Sequence, residues 1–367
     1  MKYSYTHFIP ENVAPKGATR IVIKNGTEVV CSIPLTRFMG LTSPQGNPVY
    51  SFGLVSDIHL GRVNIQAYGY SWDKFDNALS FFKKSDCSFC IVCGDLTVTG
   101  LYYSPDDTPE NAILEETQFS KYREICNKYD LPVYELMGNH ESYYGQPIEK
   151  NKDLLKSYTG NSELSYVMEK ENDLFILCGQ NHGSSVMRED DYSWLCNTLD
   201  ANKDKRCFVF VHPYIEEDSG DSLDVRENSI FDLWGTSKKT AFMNLMKQYQ
   251  NTVLFHGHSH MKLECQEFDV NANYTERNGF KSVHIPSLAT PRDVEFTYTK
   301  DGETTTTLYP DTTGSLGTLT KVASRDDRSS SQAYIVDVYP EYIVLNGLSF
   351  SGGNAEPVPL GTYKIDT

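Results

Sequence analysis

From about residue 49 the chain alternates short apolar runs with longer segments whose apolar positions recur every three to four residues. VYSFGLVSD (49–57), residues 88–93, LPVYELMG (131–138), DLFILCG (173–179), RCFVFVH (206–212) and NTVLFHG (251–257) each predict a strand. Phe75, Leu79 and Phe82 stand at helical spacing and predict a helix near 71–84; further helices are expected around 109–128, 189–200 and 237–250. Strands and helices in this alternation predict an α/β layered domain.

On either side the pattern turns to β. In ATRIVIKNGTEVVCSIPL (18–35), alternating β-formers flank Asn25-Gly26, a tight-turn signal, so a hairpin is expected. FTYTKDGETTTTLY (296–309) repeats that logic around Asp301-Gly302, and AYIVDVYPEYIVLNGLSF (333–350) reads as two strands across Pro340-Glu341. The Thr/Ser/Gly/Asp-rich stretch 311–333 reads as a long loop. The expected organisation is therefore a hairpin extension over 1–48, a main domain over 49–290 and a β-rich extension over 291–367 that packs on the main domain. So short an N-terminal piece cannot bury a core alone and is expected to pack onto the main body.

Composition narrows the function classes. Of 367 residues, 39% are hydrophobic and 22% charged, as in a globular protein with a real core. No apolar run is long enough for a transmembrane helix, and the first residues carry no apolar signal core. Lys+Arg 33 against Asp+Glu 49 leaves a net charge of -16 with no basic cluster, which disfavours a nucleic-acid polymer as partner. Nine scattered cysteines favour a reducing compartment, so a cytoplasmic location is expected, although a signal removed before this sequence begins would leave the same picture. Cys87, Cys90 and Cys93 have a spacing that can hold zinc or iron–sulfur, but Cys90 and Cys93 would face opposite sides of a strand. They read as small buried hydrophobes.

The candidate chemistry lies where the strands end. VSDIHLG delivers Asp57 and His59, VCGDLT Asp95, LMGNHES Asn139, His140 and Glu141, FVHPY His212, and FHGHSH His258 and His260. In open α/β sheets ligands gather at the carboxyl ends of strands, so these groups can converge. Asp57, His59, Asp95, Asn139, His212, His258 and His260 are too many for one metal and suit two ions sharing a carboxylate. Their mix of imidazole, carboxylate and amide fits Mn, Fe, Zn, Co or Ni better than Mg or Ca. In an extended segment His258 and His260 would point the same way, one to each metal. His256, deeper in its strand, reads as structural, as do His182 and His284.

These blocks, in the order D-x-H, G-D, G-N-H-E, a lone His and G-H-x-H, resemble the calcineurin-like metallophosphoesterase superfamily over roughly residues 50–290. The resemblance implies two central mixed β-sheets packed together and flanked by helices, with β extensions at both ends. It implies two divalent or trivalent transition-metal ions, Mn, Fe or Zn. One would take Asp57, His59, Asp95 and His260, the other Asp95, Asn139, His212 and His258. It further implies hydrolysis of a phosphoester by in-line attack of a metal-bridging hydroxide. His140 would protonate the leaving group, and Glu141 would orient His140 and raise its pKa. The alternatives are a phosphomonoesterase and a metal-binding module without catalysis.

Departures refine the resemblance. GDLTVTG lacks the Asp-Arg pair of the phosphoprotein phosphatases, and Val98 stands where purple acid phosphatases place a tyrosine ligand. The wording SDIHL and GDLT is more similar to bacterial phosphodiesterases, so a small phosphodiester is the expected substrate. Residues 99–111, Tyr143-Tyr144 and 214–227 are the segments expected to rim the site.

Overall fold

The computed structural model describes residues 20–25, 28–34, 47–61, 71–98, 115–141, 148–179, 189–213, 236–263, 274–275, 280–300, 302–307, 320–350 and 356–367. In chain order the elements are β1 (Arg20–Asn25), β2 (Glu28–Pro34), β3 (Tyr50–Val55), α1 (Ser71–Lys84), β4 (Phe89–Cys93), α2 (Glu115–Cys126), β5 (Val133–Leu136), α3 (Ile148–Thr159), β6 (Ser165–Lys170), β7 (Asp173–Cys178), α4 (Glu189–Ala201), β8 (Arg206–Val211), α5 (Thr236–Lys247) and β9 (Thr252–His256). They continue with β10 (Tyr274–Thr275), β11 (Lys281–His284), β12 (Arg292–Lys300), β13 (Glu303–Thr307), β14 (Thr320–Asp326), β15 (Gln332–Val338), β16 (Tyr342–Ser349) and β17 (Val358–Asp366).

Two mixed six-stranded sheets form the body, one in the order β17-β16-β15-β3-β4-β5 and the other β10-β11-β9-β8-β7-β6. Within them β3, β4 and β5 run parallel, as do β7, β8, β9 and β11. Side-chain alternation along each strand explains the layering. Phe52, Leu54, Phe89 and Ile91 of one sheet and Phe175, Phe208, Phe210 and Phe255 of the other fill the space between the sheets. The opposite parity, Val55, Cys90 and Val92, packs under Phe75, Leu79 and Phe82 of α1 and Phe119 and Tyr122 of α2. On the far side Ile176, Val209 and Leu254 meet Leu195 of α4 and Phe242 of α5. The expected layered fold is thus the one observed. Strand parity also settles the cysteine cluster: Cys93 lies between the sheets and Cys90 under the helices, both buried, with thiols that burial holds well above the usual pKa range.

The ends of the chain differ in part from expectation. β1 and β2 pair as the N-terminal hairpin, and β2 lies near β17. At the other end, β15 pairs antiparallel with β3, so β15, β16 and β17 extend a central sheet instead of packing on it as an appendage. The expected loop over 311–333 contains a strand: β14 pairs with β12, and β12 with β13, in a three-stranded sheet. Its Thr/Ser-rich composition hid it, because an edge strand needs backbone partners more than apolar alternation. Helix α3 adds a further element, burying Leu155. No helix among the described residues is long and apolar enough to cross a membrane.

At the end of the sandwich away from the histidines, Arg206 holds Asp173 through two bonds of 2.8 and 2.6 Å and reaches the Tyr339 carbonyl at 2.6 Å. The Tyr50 hydroxyl donates to the same carboxylate. That network ties β3, β7, β8 and the β15–β16 turn together, which leaves the carboxyl ends of the parallel strands to carry chemistry.

Candidate metal centre

The carboxyl ends of β3, β4 and β5 in one sheet and of β8 and β9 in the other face a common point. Asp57, His59, Asp95 and His260 bring one ligand atom each within 4.8 Å of one another, and Asp95, His212 and His258 do the same. Among the described residues Asp95 alone belongs to both groups. Asn139, His140 and Glu141 are buried in the turn that follows β5. Asp57, His59 and His212 are wholly buried, whereas His140, His258 and His260 keep 6–7% exposure and therefore mark the side open to solvent.

The backbone is bent to reach this arrangement. Asp57, His59, Asp95, His258 and His260 all have positive φ, between 41° and 75°. Left-handed backbone at residues with a Cβ costs on the order of 1 kcal/mol or more each, and persists only where the surroundings impose it. The expected extended course of 258–260 is thereby corrected: β9 ends at His256, and two left-handed residues aim the imidazoles. Backbone bonds from Asp57 to Gly94, His59 to Asp95 and Gly257 to His212 (3.0–3.1 Å) hold these loops together. Glycine is required beside them for space. A Cβ on Gly94 would stand 2.3 Å from His212 Nδ1, and one on Gly138 2.2 Å from Asp95 Oδ1.

Each carboxylate is held by one oxygen and presents the other. Asp57 Oδ2 lies 2.6 Å from the Ser56 hydroxyl and accepts from His258 N at 3.1 Å; Asp95 Oδ1 accepts from His140 N at 2.9 Å. Asp57 Oδ1 and Asp95 Oδ2 are buried without a hydrogen-bond partner among the described residues. His260 Nε2 lies 3.0 Å from Asp57 Oδ1 and His212 Nε2 lies 3.1 Å from Asp95 Oδ2, close but misaligned for hydrogen bonding. His59 Nε2 and His260 Nε2 face each other at 3.0 Å. Carboxylate oxygens and ring nitrogens converging on a shared point, with two of those oxygens left without a hydrogen bond, are what a cation requires. The donor set of carboxylates and imidazoles without thiolate fits a divalent metal centre. On the outer side, His212 Nδ1 meets the Cys93 carbonyl at 2.8 Å and His260 Nδ1 the Thr290 hydroxyl at 3.1 Å, contacts that fix ring orientation.

Electrostatics agrees with ligand roles. Burial disfavours charge on both carboxylates, but His260, His212 and His59 around Asp57, and His212, His140 and His59 around Asp95, outweigh it and hold both pKa values below the ordinary range. Burial keeps His59 well below the usual imidazole range and pushes His258 down to about 3. His212 moves the other way, up to about 10: burial opposes its charge, yet the two aspartates prevail. The metal-free pocket thus favours ionised carboxylates and offsets them with a proton on His212, a charge that a bound cation would replace.

Two expectations about His140 are corrected. Its Nδ1 lies 3.2 Å from the Val98 carbonyl, while Glu141 accepts from Thr97 N and Oγ1 (2.8 and 3.1 Å) and from Gly138 N (2.7 Å). Glu141 therefore braces the turns after β4 and β5, and burial pushes its carboxyl up to about 8 with help from Asp95. The His140 pKa is lowered, since burial outweighs the Asp95 carboxylate and the Val98 carbonyl. Residues 99–111, Tyr143, Tyr144, 214–227 and His182 lie outside the described residues. Nothing in the sequence pointed to the orienting contacts of Ser56, Val98 and Thr290, because a hydroxyl or carbonyl becomes informative only once its partner is known.

His256 and His284 stay out of both groups. Their rings lie 5.5 Å apart, wholly buried. Burial pushes His256 down to about 3, against about 6.5 in an unfolded chain. A neutral histidine of this kind contributes stability above pH ~6.5 that is lost as pH falls towards 3, because the unfolded state binds the proton first. The melting temperature of the metal-free protein is expected to fall between pH 6.5 and 4, and less steeply in His256→Leu. Equal slopes for the two proteins would exclude His256 as a contributor.

A family model described as calcineurin-like phosphoesterase matches residues 50–262, more than half of the chain. No curated protein matches the chain.

Proposed function

The chain belongs to the calcineurin-like phosphoesterase family, and from that premise we propose that it hydrolyses a small phosphodiester at a paired-metal site. The observation that carries this reading is the shared carboxylate: Asp95 joins two ligand groups whose inward-facing oxygens, Asp57 Oδ1 and Asp95 Oδ2, are buried without hydrogen bonds among the described residues.

Asp57, His59, Asp95 and His260 would hold one ion, and Asp95, His212, His258 and the amide of Asn139 the other. Manganese, iron or zinc suits these donors. When bound, such a pair lowers the pKa of a water towards neutrality and offsets charge on a phosphoryl group. The remaining work falls to the chain. His140 stands on the open side with Nε2 3.7 Å from Asp95 Oδ2, and the Val98 carbonyl holds its other nitrogen. Protonated at Nε2, it donates to the leaving oxygen. Because burial lowers its pKa, the proton has to be stabilised by the negative charge of the bound ester itself. Glu141 acts as a positioning residue, fixing Gly138 and Thr97 around the Asp95 loop.

A diester is favoured over a monoester because GDLTVTG carries no arginine to grip a dianionic phosphate. The net charge of -16 points to a small substrate and away from long polyanions. The test is hydrolysis of bis-p-nitrophenyl phosphate against p-nitrophenyl phosphate by metal-stripped protein resupplied with Mn²⁺. Metal-dependent preference for the diester is expected. Preference for the monoester would overturn the diester assignment, and silence on both with two metals bound would overturn hydrolysis of such esters.

A further inference from the structure

Ser259 stands between His258 and His260 and is completely buried. Its hydroxyl lies 2.8 Å from His284 Nε2 and accepts from Met261 N at 3.2 Å. Its carbonyl accepts from Arg292 Nη1 at 3.0 Å. The flanking histidines have φ of 75° and 61°, conformations that a free chain would leave, turning one or both imidazoles away from the site. Both faces of the residue between them are therefore held by side chains that are not in either ligand group.

Arg292 is well placed for that task. It opens β12, lies outside the family match, and is 8% exposed. Its backbone N donates to the His260 carbonyl at 2.7 Å, and its Nε reaches Asp326 Oδ1 of β14 at 3.3 Å. The guanidinium is thus fixed between Asp326 and the Ser259 carbonyl, with donors in a rigid plane. His284 approaches from β11, beside His256. We propose that Arg292 and His284 are positioning residues which, through the carbonyl and hydroxyl of Ser259, lock the His258–His260 loop in its metal-holding conformation. This rests on the metal reading given above, and it makes the strands beyond residue 262 part of the working site. Since His260 and His258 serve different ligand groups, loosening the loop weakens both sites together.

The test compares Ser259→Ala, Arg292→Gln and Arg292→Lys with Lys262→Met. Lys262 Nζ binds Asp293 at 2.8 Å and Asp327 at 2.7 Å, so its loss disturbs the same region without touching Ser259. Mn²⁺ and Co²⁺ affinities are measured by chelator competition, the Co²⁺ visible spectrum is recorded, and the metal-free melting temperature sets conditions where every variant is folded. Ser259→Ala and Arg292→Gln are expected to lose roughly 10–100-fold in affinity, the range for residues that orient ligands, with a changed Co²⁺ spectrum. Arg292→Lys should recover part of the loss, and Lys262→Met should melt earlier with unchanged affinity. Wild-type affinity and spectrum in both Ser259→Ala and Arg292→Gln would overturn the proposal, as would an equal loss in Lys262→Met. If Arg292→Gln does not fold, Ser259→Ala, which deletes one buried oxygen, decides. A wild-type protein that binds metals yet cleaves no phosphoester removes the hydrolytic reading and leaves this one to the affinities; one that binds no transition metal removes both.

Discussion

Asp95→Ala is expected to lose both metal ions and all measurable turnover in a single step. Asp95 Oδ2 lies 3.1 Å from His212 Nε2, 3.7 Å from His140 Nε2 and 3.8 Å from His59 Nε2, and among the described residues Asp95 is the only side chain common to the two ligand groups. Its removal takes a negative charge from both positions, leaving one group with the imidazoles of His212 and His258 alone. It also frees the His140 backbone amide that Asp95 Oδ1 now accepts. Metals per chain, counted after dialysis, read the outcome directly. His258→Ala, which touches one group only, should retain the other ion. Two metals in Asp95→Ala would refute the shared-carboxylate assignment, whatever the rate.

His140→Ala separates chemistry from binding. Both ions should remain, because His140 is in neither ligand group, while the rate falls by a factor on the order of 10²–10⁴. The loss should depend on the leaving group. A p-nitrophenolate departs without a proton, so its ester should suffer less than an alkyl ester whose alkoxide needs one. Steady-state rates for the two ester types, in wild type and variant, check this. An equal loss for both would assign His140 to charge neutralisation instead of proton donation, and an unchanged rate would remove it from the mechanism.

Much of the architecture was legible because strand and helix periods are local properties. The helix over 71–84 and the strands ending at Val55, Cys93, Leu136, Cys178, Val211 and His256 follow from apolar spacing alone. What local pattern could not reveal is which strands pair. β15 joins β3 across some 280 residues of chain, and β14 is a strand because β12 supplies its hydrogen bonds. The same division runs through the site. Strand-end position and residue type singled out Asp57, His59, Asp95, His212, His258 and His260, since a strand's end is where side chains escape the sheet. The Glu141 role was misread because hydrogen-bond partners depend on the packing of two separate turns, not on adjacency in sequence.

By itself, then, the sequence determined the layered α/β class and which metal-type side chains stand at the strand ends, because these depend on residue type and spacing. Tertiary structure decided which oxygen of each carboxylate faces inward, and that Val98, Thr290, His284 and Arg292 hold the working groups in place. The physical reason is that left-handed backbone and buried lone pairs are unstable in isolation. They exist only where distant strands, brought together by the core, supply the bonds that hold them.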